Sequence, residues 1–229
     1  MRRSYHADSR LDRPAVRISA PLRSERAGGH PILELELKAV VGDPAALRER
    51  LLAAGARPGF AGLMLDRRFD REGELQARDE VLRVRVFRSV EGVEDQHLGW
   101  KGPTGVSPEG YKVRRELEYQ VRGERASPAE LLAALRFTEC YRVDRYVEYY
   151  ELEAASLRLE WYPRMDVLLE VEGDQLSIEA AVRATGLPRN AFTAEPLAEF
   201  VVRYTARTGL AAILSQESGA PLPPADARR

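Results

Sequence analysis

In one extended segment after another of this sequence, every second residue is ionised and the residues between are apolar. Side chains two apart in a strand share a face. Glu34, Glu36 and Lys38 therefore stand together with Leu35 and Leu37 opposite, and Arg83 and Arg85 stand against Leu82, Val84 and Val86. Lys112, Arg114, Glu116 and Glu118 share a face against Val113, Leu117 and Tyr119. Glu170 and Glu172 oppose Leu169 and Val171, and Glu160 opposes Leu159 and Trp161. An antiparallel sheet with one wet side also alternates polar and apolar residues. A merely solvated face, however, mixes Ser, Thr and Gln with its charges, and these positions are almost uniformly ionised. If the strands curl into a closed barrel, the ionised face becomes an interior that must be wet and suited to a charged ligand. The apolar face then points outward and needs a cover of helices.

The rest of the chain supplies both parts. Period-2 or β-branched and aromatic runs occur at Ile32–Val40, Glu80–Ser89, Gln96–Lys101, Glu109–Arg122, Cys140–Leu152, Leu157–Tyr162 and Val167–Gly173, with a weaker one at Leu65–Glu72. Asp43–Pro44 opens a helix over Ala45–Ala54 stopped by Gly55, and Ser127 with Glu130 has capping-box spacing before Leu131–Leu135. Ser177–Thr185 ends at Gly186, and a last helix runs from Pro196 to Thr208 before Gly209. Strands without regular strand–helix alternation predict an α+β fold: an eight-stranded antiparallel closed β-barrel with a charged interior, covered outside by helices.

With 44% apolar and 31% charged residues, the chain has material for a sizeable core. Thirty-five basic and 36 acidic residues balance to a net charge of −1, which argues against wholesale attraction to nucleic acid or a membrane surface. No run of about 18 apolar residues is present. The lone Cys140 allows no intramolecular disulfide and no cysteine metal site, and reads as a small buried apolar residue. The expectation is a cytoplasmic protein, monomer or homodimer. Residues 1–30, with seven arginines and no apolar core of a signal, are expected to be a disordered leader. Residues 31–214 form the folded domain and 215–229 a disordered tail.

Only three basic residues are lysine, Lys38, Lys101 and Lys112, and all fall in strands. In so arginine-rich a chain their use suggests a compact ammonium at those points. Acids and bases together fit a polyphosphate held with a divalent cation. There is no GxxxxGK loop and no GxGxxG, and His6, His30 and His97 show no metal spacing.

These residues resemble a known family. Glu34-Leu35-Glu36-Leu37-Lys38 is the ExExK signature that opens CYTH domains, also called triphosphate tunnel metalloenzymes. The family's later pieces follow in order: Leu82-Arg83-Val84-Arg85, Leu98-Gly99-Trp100-Lys101-Gly102-Pro103, Arg114-Arg115-Glu116-Leu117-Glu118, Arg145, and Leu169-Glu170-Val171-Glu172-Gly173. The resemblance spans about 32–209. It implies a tunnel that takes a small-molecule triphosphate with Mg²⁺ or Mn²⁺. Lys38, Arg83, Arg85, Lys101, Arg114 and Arg145 match phosphate-binding positions. Glu34, Glu36, Glu160, Glu170 and Glu172 match metal-side carboxylates. Lys38, Glu34 and Glu36 stand as the catalytic set, and Glu116, Glu118 and Lys112 line the tunnel. Glu160 stands where the family usually has Asp. Val143 stands where a base is usual, leaving Arg142 as a substitute contact. The function implied is metal-dependent hydrolysis of a triphosphate. Its rivals are a class IV adenylate cyclase and a non-catalytic polyphosphate or nucleotide sensor. No adenine pocket is recognisable, and His30 lies four rather than six residues before Glu34, which favours hydrolysis.

Overall fold

A computed structural model describes residues 33–122 and 127–216. The expected leader, the first residues of the expected domain, and the tail beyond Gln216 lie outside the described residues. The strands are β1 (Leu33–Val40), β2 (Arg57–Asp70), β3 (Val81–Ser89), β4 (Glu94–Lys101), β5 (Gly105–Val106), β6 (Lys112–Val121), β7 (Thr138–Leu152), β8 (Ala155–Trp161) and β9 (Leu168–Gly173). The helices are α1 (Pro44–Ala53), α2 (Glu74–Ala77), α3 (Pro128–Ala134), α4 (Gln175–Thr185) and α5 (Leu197–Thr208). The strand order is β1-β9-β8-β7-β2-β3-β4-β6-β5, and β1 also pairs with β6. Every pairing is antiparallel, so eight strands close a barrel and the two-residue β5 lies outside it.

Closure sorts the alternating strands as their sequence requires. Leu37, Ala39, Leu157, Leu159, Trp161, Leu169 and Val171 point outward and are buried beneath Leu47 and Leu51 of α1 and Ile178, Ala181 and Val182 of α4. Each fully buried leucine or valine among them contributes roughly 1.5–3 kcal/mol. Leu132 of α3 packs on Phe69 and Val84 over the other wall. Local signals set the helix ends. Asp43 accepts from Ala46 N at 3.0 Å with Pro44 in the first turn, Ser127 and Glu130 complete the capping box, and Gly186 and Gly209 take positive φ.

Two expectations need correction, and one short helix lies outside them. The weak strand at 65–72 is part of a 14-residue strand, Arg57–Asp70, the second longest in the barrel. Pro58, Gly59 and Gly62 disguise it, and a bulge between Pro58 and Ala61 breaks its alternation. The short α2 carries no periodic signal of its own; Asp70 fixes it by accepting from Leu75 N and Gln76 N, each at 3.0 Å. Cys140 is exposed, not buried, because the first residues of β7 project beyond the covered wall.

Candidate functional site in the barrel interior

The inward face carries a belt of alternating charge. Lys112 Nζ meets Glu36 at 2.5 Å, and Lys38 Nζ joins Glu36 to Glu170, the latter at 2.7 Å. Arg158 then bridges Glu170 and Glu160, and Arg145 lies 3.2 Å from Glu160 and 2.9 Å from Asp66. Asp66 in turn takes Arg85 through both carboxylate oxygens, at 2.7 and 2.9 Å. On the opposite wall Lys101 sits 3.0 Å from both Glu34 and Glu116, and Arg83 reaches Glu116 at 2.8 Å and Glu118 at 2.9 Å. His97 continues this chain, with Nδ1 3.1 Å from Glu118 and Nε2 3.0 Å from Asp95.

Strand geometry explains why these groups meet. Arg83 on β3 must cross β4 to reach β6, and the residue it crosses is Gly99. A Cβ there would lie 3.3 Å from Arg83 Nε and 3.4 Å from Glu118 Oε2. The register places Lys38 beside Glu170, Glu36 beside Glu172, and Arg158 beside Glu170. Apolar layers flank the belt. Met64, Phe87, Val147 and Tyr149 of the inward face pack with Phe60 on one side, and Val143, Tyr162 and Leu168 pack with Phe200 of α5 on the other. Tyr149 Oη accepts from Arg158 at 3.1 Å, and Tyr162 Oη donates to Glu160.

Burial alone would neutralise these groups; their neighbours keep them charged. Burial raises the Asp66 carboxyl, but Arg85 and Arg145 hold it well below its ordinary value. The same contest leaves Glu170 well below the carboxylate range, through Arg158 and Lys38. Lys38 is held above the ammonium range against burial by Glu170 and Glu36. Glu116 goes the other way. Burial, with Glu34 close by, pushes it up despite Lys101 and Arg83.

Of the residues singled out from the sequence, Glu34, Glu36, Lys38, Arg83, Arg85, Lys101, Lys112, Glu116, Glu118, Arg145, Glu160 and Glu170 are brought together in the belt. Glu172 is half-buried at its edge, opposite Glu36. Arg114 faces inward but is fastened at the rim, bonding Gly102 O and Asp79 O. Arg142 does not substitute for Val143: it points to the outer side and pairs with Glu139. Arg115 lies outside over the Trp100 indole, 5.9 Å from its centroid. Two members of the belt escaped the sequence reading, Asp66 and Arg158. Arg158 shares parity with Glu160, which was a usable signal; Asp66 lies in the weaker run at 65–72, whose two faces were not assigned.

All the acidic donors in the belt are carboxylate oxygens, the chemistry that Mg²⁺ or Mn²⁺ accepts. Among the described residues no three acidic, His or Cys side chains are drawn into one cage. Lys38 lies between Glu36 and Glu170, and Arg158 between Glu170 and Glu160. The donor set fits a hard divalent cation, and the intervening bases are the groups a phosphate would draw away.

No family model matches the sequence, and no curated protein is similar to it. Solved structures share the fold. A candidate adenylate cyclase of Vibrio parahaemolyticus superposes with a TM-score of 0.60 at 13% identity, over 76% of this chain and 99% of that one. The PH1819 protein of Pyrococcus horikoshii gives 0.58 at 23% identity, over 74% and 98%. HpAC1 of Hippeastrum, described as a candidate adenylyl cyclase with a dominant triphosphatase activity, gives 0.51 at 16% identity, over 77% and 95%. The closed antiparallel barrel is the architecture these structures share with the chain. No described helix is long and apolar enough to cross a membrane.

Proposed function

We propose that this chain is a divalent-metal-dependent triphosphatase that releases phosphate from a triphosphate-bearing small molecule. One observation carries the reading: a closed barrel whose interior holds seven ion-paired bases, Lys38, Arg83, Arg85, Lys101, Lys112, Arg145 and Arg158, interleaved with seven carboxylates. A structural core has no use for so many charges, whereas a polyanion with its cation uses both signs. Lys38, Arg83, Arg85, Lys101 and Arg145 bind and orient the phosphate chain, with Arg158 beside them and Arg114 at the rim. Glu34, Glu36, Glu160, Glu170 and Glu172 hold Mg²⁺ or Mn²⁺, which supplies Lewis-acid polarisation of the phosphate oxygens. The apolar layers around Phe87 and Phe200 limit water around the belt and strengthen its electrostatics.

The fold is shared with HpAC1, whose described triphosphatase activity accords with this choice over cyclisation. The test is product analysis. Inorganic triphosphate, thiamine triphosphate and ATP are each incubated with Mg²⁺ and with Mn²⁺, and the products are resolved by anion exchange. Orthophosphate from inorganic triphosphate is expected. Cyclic AMP and pyrophosphate from ATP, with inert inorganic triphosphate, would make the chain a cyclase. Tight binding without turnover would make it a sensor.

A further inference from the structure

Each inward-facing base described above has a carboxylate within reach; one more does not. Arg68 follows Asp66 by two residues on β2 and faces the same way. The register sets it opposite Arg83 on one side and Tyr141 on the other. Among the described residues its guanidinium makes no ion pair. It rests over the Tyr141 ring, 4.8 Å from the centroid. Arg83, Arg85 and Arg145 are nearly inaccessible, whereas Arg68 and Tyr141 keep part of their surface in solvent.

The electrostatics around it are lopsided. Asp66, two residues before it on β2, has both oxygens taken by Arg85 and Arg145, and Asp70, two residues after it, accepts from the Arg71, Leu75 and Gln76 amides. Burial lowers the Arg68 guanidinium below its ordinary range, Asp66 and Tyr141 oppose this, and Arg83 and Arg145 lower it further. A guanidinium keeps its proton regardless, so the strain in this corner is an excess of positive charge.

We propose that Arg68 is a specificity-determining residue that takes the outermost phosphoryl group of a linear triphosphate seated in the belt. This rests on the triphosphate reading above. The buried bases must leave a carboxylate to meet phosphate; Arg68 leaves only the face of Tyr141. Its fork suits two phosphate oxygens. The register sets Arg68 level with Arg83, two residues along the strands from Arg85 and four from Arg145, so a third phosphoryl group extends an anion seated on Arg145 and Arg85 to it. The chain therefore reads the number of phosphates, preferring three to two.

The test is calorimetric titration of the full-length protein with inorganic triphosphate and with pyrophosphate, both with Mg²⁺, alongside thermal melts. Arg68→Gln is expected to weaken triphosphate binding at least about tenfold and pyrophosphate binding less than about threefold. Arg68→Lys should recover part of the loss. The melting temperature of Arg68→Gln should hold or rise, because no ion pair is broken and repulsion with Arg83 and Arg145 is relieved. Equal losses for the two anions, or no loss, overturn the proposal while the tunnel reading stands. A lowered melting temperature with unchanged binding makes Arg68 a structural residue and overturns it too. A wild-type protein that binds neither anion removes the triphosphate reading itself.

Discussion

Asp66→Asn tests the belt where it depends most on a single side chain. The Asp66 carboxylate accepts from Arg85 Nε at 2.7 Å, Arg85 Nη2 at 2.9 Å and Arg145 Nη2 at 2.9 Å, all in buried surroundings. Arg145 keeps Glu160 when Asp66 is neutralised, but among the described residues Arg85 has no other ion pair and retains mainly the face of Phe87, 5.7 Å away. Removing one partner of a buried ion pair costs about 3–5 kcal/mol, because the charge left behind stays desolvated. For a domain of this size each kcal/mol moves the melting temperature by roughly 2–4 °C, so a fall of about 6–20 °C is expected at pH 7. The pH dependence follows from the depressed carboxyl. A group held below its unfolded value contributes stability above that value and loses it as pH falls through the folded one. The gap between wild type and variant should therefore be full from about pH 5 upward and shrink as acid titrates Asp66, below the unfolded value near 3.9. Added sulfate or triphosphate should stabilise the variant more than the wild type by supplying Arg85 with an anion. Differential scanning fluorimetry across pH reads all of this. A fall under about 2 °C, or a gap that does not change with acid, would refute the reasoning.

Lys38→Ala should abolish most turnover, because it removes the cation joining Glu36 to Glu170, whereas Arg115→Ala should leave kcat and KM near wild type; similar kinetics for the two variants would mean the faces of β1 and β6 are misassigned. Activity should vanish in excess EDTA and return with Mg²⁺ or Mn²⁺, and Glu34→Gln or Glu172→Gln should each lose much of the rate while melting cooperatively. Full turnover in the chelator excludes the metal reading. His97 is raised above its ordinary value: burial opposes its charge, but its bonds to Glu118 and Asp95 outweigh burial. Its stabilisation is complete below about pH 6.5 and lost as pH rises through the folded value. The melting-temperature gap between wild type and His97→Gln should thus narrow in alkali; a gap that widens would reverse the assigned partners.

Parity made most of the belt legible in the sequence. Where strict alternation ran through at least four residues, as in Glu34–Lys38 or Lys112–Tyr119, the inward face could be written down residue by residue. It failed where backbone irregularity interrupts the period. The bulge and glycines of β2 left only its run at 65–72 legible, too short and too charged for its faces to be told apart, although Met64, Asp66 and Arg68 do alternate once the strand is known to start at Arg57. Parity also says nothing about depth along the barrel. Arg114 shares a face with Glu116, yet its anchor to Gly102 and Asp79 keeps it at the rim. Nor does parity say that Gly99 is a passage. Its missing side chain is what lets Arg83 join two strands that are not neighbours.

The energetics of the belt bear on what it is for. Buried ion pairs do little better than break even against apolar side chains of the same size. The barrel already has apolar layers beside the belt, around Phe87 and Phe200, that show what packing alone achieves here. Leucines in place of Lys38, Glu170, Arg158 and Glu160 would therefore stabilise the barrel about as well. What the charges add is readiness. Each base arrives already desolvated, oriented and held at 2.5–3.2 Å from an oxygen anion, the geometry it would keep with a phosphate. On the proposed reading, substrate and metal exchange partners with the belt, oxygen for oxygen and cation for cation. The cost of dehydrating the groups is met in folding, before the substrate arrives, and little reorganisation is left for the chemical step. Arg68 stands outside this exchange because it has no carboxylate to give up, and that is why its removal separates recognition from stability.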